Sequence, residues 1–455
     1  MDKDYFRDKN ILVMGLGRFG GGVDAVKFTC EAGAKVIVTD VAGEKELADS
    51  IKQLKDYKNI EYHLGGHSKN DFERTDIVIA NPAVPNNNEY LDAARKAGRL
   101  VTSQIEIFFE MAPAVIIGIT GANGKSTTSA LTAHLLRGTR DEGRATVWLS
   151  GNIGNEPLLT IVEQISRDDL VVLELSSFQI EQLAQIRKMP KVALLTNLTP
   201  NHLDRYGSFE EYCKAKELMF KYQKRWSENE PCVSIFNAEG EIGAEWFEKY
   251  RKDGGRICEK FSADDVSGEI RERFGLPGRA NLSNLAAAIT IARHFGVEDG
   301  HIRNCLAAFK ALTHRLELVA EKRGVAWYND SKATTPDSAI VALEAFERPI
   351  IIIAGGYDKH IPFNELGAKI AKKARAAILI GQTAKKIAES IHLAAEKKAK
   401  VEFADSLAEA VEMANLLAGK GDVVLLSPAC ASYGMFDNFE QRGNLFAKLV
   451  RQLEG

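Results

Sequence analysis

The chain has 455 residues, 45% of them hydrophobic and 27% charged, and a formal net charge of -3. Lys and Arg nearly balance Asp and Glu, so there is no electrostatic footprint for a polyanion such as DNA, and the six cysteines show no C-x-x-C spacing that would suggest a disulfide framework or a zinc site. The charged start from Met1 to Asp8 lacks an apolar leader core and the longest apolar runs fall far short of a membrane span, so a cytoplasmic protein is expected.

In chain order, residues 10 to 100 alternate β-branched runs with helical patterns: strands are predicted over 11–14, 35–39 and 77–80, and a helix over 20–31. A second series has strands over 115–120, 146–149, 170–175, 192–197 and 232–236, closed by a helical stretch over 281–310. A third has strands over 326–329, 350–354, 377–380 and 423–426, with Lys- and Ala-rich amphipathic helices between them. This alternation predicts an α/β protein of three domains with mostly parallel sheets, over 1–104, 105–312 and 313–455. The first and last are expected to be Rossmann-like and the central one P-loop ATPase-like.

Two glycine-rich turns stand out. Gly15-Leu16-Gly17-Arg18-Phe19-Gly20 follows the first strand, and Asp40 ends the next strand twenty residues after Gly20. This is the dinucleotide fingerprint, with glycines for close approach to a pyrophosphate and an acid for a ribose. By itself it fits a nicotinamide-dependent dehydrogenase. The second turn, Thr120-Gly121-Ala122-Asn123-Gly124-Lys125-Ser126-Thr127, joins an apolar strand to a helix and forms a phosphate cradle. Lys125 can reach terminal phosphates and the Ser126 hydroxyl can coordinate Mg²⁺. The first glycine of the general P-loop pattern is replaced by Ile119, and Gly121 supplies the turn.

Three further residues have bland readings when taken alone. Glu174 ends the apolar strand Leu170-Val171-Val172-Leu173, where open α/β sheets bind ligands, although such a glutamate is more often structural. His202 lies in the polar loop Thr199-Pro200-Asn201-His202-Leu203-Asp204, and a lone loop histidine is usually solvated. Lys216 reads as a solvated lysine on an amphipathic helix.

Thr-Gly-x-Asn-Gly-Lys-Ser resembles the ATP loop of the Mur ligase family, which also includes folylpolyglutamate synthetases, and later motifs extend the resemblance along essentially the whole chain. The resemblance implies ATP held by Gly121, Asn123, Gly124, Lys125, Ser126 and Thr127. It implies two Mg²⁺ ions served by Ser126, Glu174, His202 and Lys216, with Lys216 carbamylated; Lys216 is favoured over Lys214 because it stands four residues after Tyr212. Asn281 and Asn284 resemble the family's asparagine pair near the ATP base, with Ala280 where many members carry His, and Arg315 of His314-Arg315 resembles an ATP contact.

The first domain would then hold the uridine diphosphate of a sugar nucleotide through Leu16, Gly17 and Asp40, with Asn152 facing the same substrate. In the last domain, Asn329-Asp330-Ser331-Lys332-Ala333-Thr334, Gly355-Gly356-Tyr357-Asp358-Lys359, Ser427-Pro428-Ala429-Cys430-Ala431-Ser432 and Phe439-Glu440-Gln441-Arg442-Gly443 resemble the D-glutamate-adding branch of the family. That branch implies Asp330 and Lys332 near ATP and the reacting centre, and Thr334, Lys359, Ser432 and Phe439 around D-glutamate. The Asp-Asn-Pro-Arg string of the diaminopimelate-adding branch is not found.

The implied reaction is phosphorylation of the alanyl carboxylate of UDP-N-acetylmuramoyl-L-alanine by ATP, then attack by the D-glutamate amine. Lys125, His202, Lys216, Asp330 and Lys332 are the expected catalytic groups, in a monomer whose last domain closes over bound ATP. The alternatives are another Mur or folylpolyglutamate-type ligase, a nucleotide-binding regulator without turnover, and the dehydrogenase.

Overall fold

Short aliphatic runs that are buried on both faces form the middle of three sheets. The computed structural model describes residues 1–18, 20–137, 145–153, 157–224, 230–394 and 399–454. The first sheet has five strands, β1 (Asn10–Met14), β2 (Lys35–Asp40), β3 (Ile60–Leu64), β4 (Ile77–Ala80) and β5 (Leu100–Thr102), in the order β3-β2-β1-β4-β5 with every pairing parallel. The second has six, β6 (Val115–Thr120), β7 (Val147–Gly151), β8 (Leu170–Glu174), β9 (Val192–Leu195), β10 (Cys232–Asn237) and β11 (Arg256–Phe261), in the order β11-β10-β9-β6-β8-β7, again all parallel.

The third sheet contains β12 (Glu317–Lys322), β13 (Val325–Asn329), β14 (Ile350–Gly355), β15 (Ala374–Ile380), β16 (Lys400–Phe403) and β17 (Val423–Leu426), ordered β12-β13-β17-β14-β15-β16. Only β12 runs antiparallel to its neighbour. The chain divides into two compact units. One comprises Met1–Ser262 with Ala287–His301 and carries the first two sheets; the other comprises Ala263–Ala286 with Ile302–Gly455 and carries the third. No described helix is long and apolar enough to cross a membrane.

The predicted strands are all present with ends within two residues, except that β15 begins at Ala374, three residues before the predicted start. The strands that the sequence pattern did not reveal are β3, β5, β11, β12 and β16, and each is short, partly exposed or charged. All five lie at a sheet edge and lack a long, fully apolar run because one edge or face meets water, which removes the signature that a strand buried on both faces leaves. The predicted helical stretch over 281–310 is two helices, Arg279–His294 and Asp299–Leu306, separated at Gly296, whose φ is +80°.

Within the first unit, a buried carboxylate fastens the first sheet's leading helix to the second layer. Asp24 lies in the first turn of the helix Gly21–Glu31 and is 2% exposed. It accepts the N–H groups of Leu159 at 2.9 Å and Thr160 at 3.1 Å, the Thr160 hydroxyl at 2.6 Å, and the Gln104 amide. Leu159 and Thr160 open the short helix Leu158–Val162, whose first N–H groups have no acceptor within that helix. Asp24→Ala leaves these donors without their acceptor, the Leu159 N–H among them in a buried contact. We expect a loss of about 1–3 kcal/mol in urea unfolding, and an unchanged midpoint would show that the contact adds nothing to stability.

Candidate active site

In the second sheet, β6 is flanked by β8 and β9, so the order of connection reverses on either side of it. Ligands in open parallel sheets bind at the carboxyl ends of strands at such a point. The Thr120–Thr127 turn leaves β6 there. Gly121 has φ +147°, and a Cβ on it would lie 2.0 Å from the Thr196 hydroxyl, so only glycine fits.

The backbone of Asn123 is held from both sides. Its N–H donates to Asn197 Oδ1 at 2.9 Å, and its carbonyl accepts from Thr196 Oγ1 at 2.6 Å and Asn197 Nδ2 at 3.0 Å. Ala122 N–H donates to the Asn197 carbonyl at 2.8 Å. Lys125 begins the helix Lys125–Arg137, with its Nζ 3.0 Å from the Ala122 carbonyl.

Beside this turn, Ser126 Oγ donates to Glu174 Oε2 at 2.5 Å, and both residues are buried. Asn152, just past β7, donates its amide to Glu174 Oε1 at 3.2 Å and its N–H to the Glu174 carbonyl at 3.0 Å. Lys216 lies on the helix Phe209–Lys221 and is 2% exposed. Its Nζ donates to Thr120 Oγ1 at 3.1 Å, and that hydroxyl in turn donates to the Leu175 carbonyl at 2.8 Å. Burial first and the Lys125 charge second hold the Lys216 amine well below the ordinary lysine pKa, against the opposing pull of Glu174 and Cys213.

His202 takes a left-handed φ of +53° and opens the short helix Leu203–Tyr206. Although the residue is exposed overall, its imidazole packs 5.1 Å from the Phe178 ring and 6.1 Å from Tyr212. This desolvation, followed by the Lys216 charge, lowers its pKa, with Asp204 opposing and Lys125 and Arg205 adding to the decrease. The shift favours the neutral ring, the form that can ligate a metal. The Ser126 hydroxyl and Glu174 carboxylate are hard oxygens suited to Mg²⁺. Among the described residues no group of three or more His, Cys, Asp or Glu forms a cage. Few protein ligands, with water and phosphates supplying the rest, is how Mg²⁺ is usually bound.

The first sheet also reverses its order of connection, at β1 between β2 and β4. Gly15 there has φ +88°. Asp40 is buried and accepts the N–H of Gly17 at 3.0 Å and of Ala42 at 2.9 Å, so it braces the turn. The Leu16 side chain is wholly in the core, which leaves its backbone for any ligand contact. Asn81, just past β4, donates its amide to the Gly15 carbonyl at 3.2 Å. Phe19 and Gly154, which belong to the quoted motifs, lie outside the described residues.

In the second unit, Asp330 follows β13. Its carboxyl accepts the Leu316 N–H at 3.2 Å and the Ser427 hydroxyl at 2.8 Å. Burial pushes it up to about 7 despite these bonds and the Arg315 charge. Arg442, fully buried, donates through Nε to Ser331 Oγ at 3.0 Å, through Nη2 to the Ser331 carbonyl at 2.8 Å and through Nη1 to the Cys430 carbonyl at 3.1 Å. Ser331 Oγ donates to the Phe439 carbonyl at 2.8 Å.

These bonds draw the Asp330, Ser432 and Phe439 strings together, with the Lys332 ammonium 5.3 Å from the Phe439 ring. The Tyr357 N–H bonds the Ala431 carbonyl at 2.9 Å and brings in the fourth string, Gly355 to Lys359, on which Lys359 is exposed; Thr334 is half-buried. Asn281 and Asn284 are buried at the start of the helix Arg279–His294 and joined by a 3.3 Å bond, while Ala280 is exposed.

Family models describe much of the chain: the MurD-like N-terminal domain of Mur ligases matches residues 9–103, the Mur ligase middle domain 119–271, and the Mur ligase glutamate ligase domain 314–430. A protein of Pelotomaculum thermopropionicum named UDP-N-acetylmuramoylalanine--D-glutamate ligase is 37% identical over 471 residues, covering 100% of both chains. A protein of Koribacter versatilis with the same name is 38% identical over 98% of each. The chain belongs to the Mur ligase family. The solved MurF ligase of Thermotoga maritima in complex with ADP has a TM-score of 0.57 at 17% identity, covering 99% of this chain and 97% of that one. A pseudomurein peptide ligase type C of Methanothermus fervidus gives 0.55 at 17%, covering 98% and 100%. These two share the three-sheet α/β fold.

In this Mur ligase, Ser126, Glu174, Lys216 and Asn152 meet around the Thr120 turn. Asn152 was expected to face the sugar nucleotide, and its amide is bonded to Glu174. Sequence reasoning passed over Thr196 and Asn197, Asn81 and Arg442. A signal existed for Thr196-Asn197, a polar pair directly after the apolar Val192-Ala193-Leu194-Leu195.

The raised Asp330 carboxyl carries a pH signature. Its folded pKa of about 7 lies above its ordinary 3.8. Its contribution to stability is therefore fully present below the unfolded pKa and lost as pH rises from about 4 through 7. Asp330→Asn keeps an acceptor for Leu316 N–H and removes the titration. Chemical unfolding of the full chain between pH 4 and 8 should lose less stability with rising pH in the variant. Parallel curves would show that Asp330 does not titrate in this range.

Proposed function

We propose that this chain is an ATP-dependent, ADP-forming ligase that joins D-glutamate to the alanyl carboxylate of UDP-N-acetylmuramoyl-L-alanine in peptidoglycan precursor synthesis. The observation that carries the reading is the 37% identity, over the full length of both chains, to a protein named for that reaction. The phosphate cradle at Thr120–Thr127 beside the Ser126–Glu174 pair supports it. On this reading residues 1–104 serve the uridine diphosphate through Leu16, Gly17 and Asp40, residues 105–312 serve ATP, and residues 313–455 serve the amino acid through Thr334, Lys359, Ser432 and Phe439. Asn281, Asn284, Arg315 and Asp330 keep the nucleotide role implied by the resemblance, and Lys332 acts near the reacting centre.

A free carboxylate is a poor electrophile. Its oxygen attacks the γ-phosphorus of ATP, ADP departs, and the resulting acyl phosphate has phosphate as its leaving group. The neutral amine of D-glutamate then attacks the carbonyl carbon, the C–O bond to phosphate breaks, and the amine loses a proton. Lys125 and the backbone N–H groups of the turn orient and neutralise the phosphates. Mg²⁺ held by Ser126, Glu174, His202 and Lys216 would stabilise charge on the transferring oxygens.

An ammonium at Lys216 would repel that cation. Its depressed pKa favours the unprotonated amine, which can add to CO₂, forming an N–C bond and releasing a proton. The carbamate supplies anionic oxygens where the ammonium supplied positive charge.

The assay is phosphate release with ATP, Mg²⁺ and UDP-N-acetylmuramoyl-L-alanine, comparing D-glutamate with L-glutamate, lysine and diaminopimelate. Release is expected only with D-glutamate, and its absence would overturn the assignment. Lys216→Ala should lower turnover about 10- to 100-fold, and Lys216→Arg, which stays cationic, should not restore it. Full activity in Lys216→Arg would rule out the carbamate.

A further inference from the structure

Arg205 sits on the short helix opened by His202, and its N–H donates to the His202 carbonyl at 3.0 Å. Its guanidinium makes three contacts. Nη1 donates to the Ala83 carbonyl at 3.0 Å, Nη2 lies 3.5 Å from Glu181 Oε2, and the guanidinium carbon stands 4.1 Å from the centre of the Phe178 ring. Phe178 is also the ring against which the His202 imidazole packs, and it stacks on Tyr206 at 6.0 Å. The Tyr206 hydroxyl donates to the same Glu181 oxygen at 3.1 Å. Arg205 thus clamps the outer side of the platform on which His202 rests.

Ala83 belongs to the turn after β4, in the first sheet. That turn is bonded to the Gly15 loop: Asn81 N–H donates to the Met14 carbonyl at 2.9 Å, Asn81 Nδ2 donates to the Gly15 carbonyl at 3.2 Å, and Asn81 Oδ1 accepts the Ala83 N–H at 3.0 Å. A continuous path of hydrogen bonds therefore runs from Gly15 through Asn81, Ala83 and Arg205 to the His202 segment. The sequence places a pyrophosphate cradle at one end of it and a metal-side imidazole at the other.

We infer that Arg205 is a positioning residue for the proposed ligase reaction, tying the turn that holds the Gly15 loop to the His202 segment so that the two keep a fixed spacing. This role rests on the ligase reading of the site. A stability role is the weaker explanation. Ala83 is exposed and its carbonyl can be hydrated when Arg205 is removed, and the Arg205–Glu181 pair is only partly buried, where such pairs contribute little. The planar guanidinium can lie over Phe178 while pointing an N–H at Ala83, a combination that a lysine ammonium matches only in part.

The test is steady-state kinetics of phosphate release with UDP-N-acetylmuramoyl-L-alanine varied at saturating ATP, Mg²⁺ and D-glutamate. The proteins are wild type, Arg205→Met, Arg205→Lys, Asn81→Ala and the Asn81→Ala, Arg205→Met double variant, each with a thermal melt. Arg205→Met should melt close to wild type yet show a raised KM for the sugar nucleotide and a fall in kcat/KM of roughly 10- to 100-fold, the scale of a misplaced reacting group. Arg205→Lys should fall between the two. Because Asn81 and Arg205 act along one path, the double variant should be little worse than the worse single variant.

Three results would overturn the role: kcat/KM for Arg205→Met within about twofold of wild type, a loss in the double variant equal to the product of the single losses, or a lowered melting temperature with KM unchanged. A wild-type chain that releases no phosphate with D-glutamate would overturn the ligase reading and this role with it. An active wild type with an indifferent Arg205→Met would overturn the role alone.

Discussion

Burying the Lys216 amine constrains the whole central site. An ammonium withdrawn from water costs several kcal/mol even after the protein relaxes, and here the Lys125 charge adds to the cost. The fold gives Nζ one hydroxyl, Thr120 Oγ1, and that hydroxyl has already spent its proton on the Leu175 carbonyl. Thr120 ends β6, Leu175 follows β8, and Lys216 comes from a helix well beyond both. The Thr120–Thr127 turn, the strand end that carries Glu174 and this helix are therefore locked around one amine that cannot comfortably keep its charge. A residue in that state suits close approach of a carboxylate, and Glu174 is an acid whose field it feels.

The three sheets use the same device to hold their loops. In each, a polar side chain at or just past the carboxyl end of a strand holds a glycine-rich or polar turn that leaves a neighbouring strand. Thr196 and Asn197 pin Asn123, Asp40 and Asn81 pin Gly17 and Gly15, and Ser427 holds Asp330. Parallel strands make this possible, because their carboxyl ends lie side by side and present their loops to one another. Arg442 extends the device in the second unit by bridging two backbone carbonyls and a hydroxyl from inside the core. Loops held this way are preorganised, so ligand binding need not supply the ordering free energy.

The legible part of the fold was its interior. Ile350–Gly355 and Val423–Leu426 are buried along their whole length and read directly as strands, whereas Lys400–Phe403 alternates charge with apolar residues, Glu317–Lys322 sets a short apolar run between charges, and both lie at the edges of the same sheet. In the site, the Thr120 to Thr127 turn was legible because it is built from adjacent residues. Glu174 was legible because a strand end has a visible sequence boundary. Lys216 was not, since nothing in Tyr212-Cys213-Lys214-Ala215-Lys216-Glu217 distinguishes a buried lysine from a solvated one; only the family resemblance chose it.

By itself the sequence determined three α/β segments, two glycine-rich turns at strand ends and the family to which they belong, because each depends on spacing within a few residues or on strings that survive as strings. Only the tertiary structure decided that the Lys216 amine lies against Thr120, that Asn152 is bonded to Glu174, that Asn81 steadies Gly15 and that Arg442 is wholly buried. Lys216 and Thr120 are 96 positions apart, and Arg442 and Ser331 are 111 apart. Contacts at such separations are set by which strands are neighbours and which helix face is covered. Burial, which moves the Lys216 and Asp330 pKa values, is a property of the packed chain that no local pattern encodes.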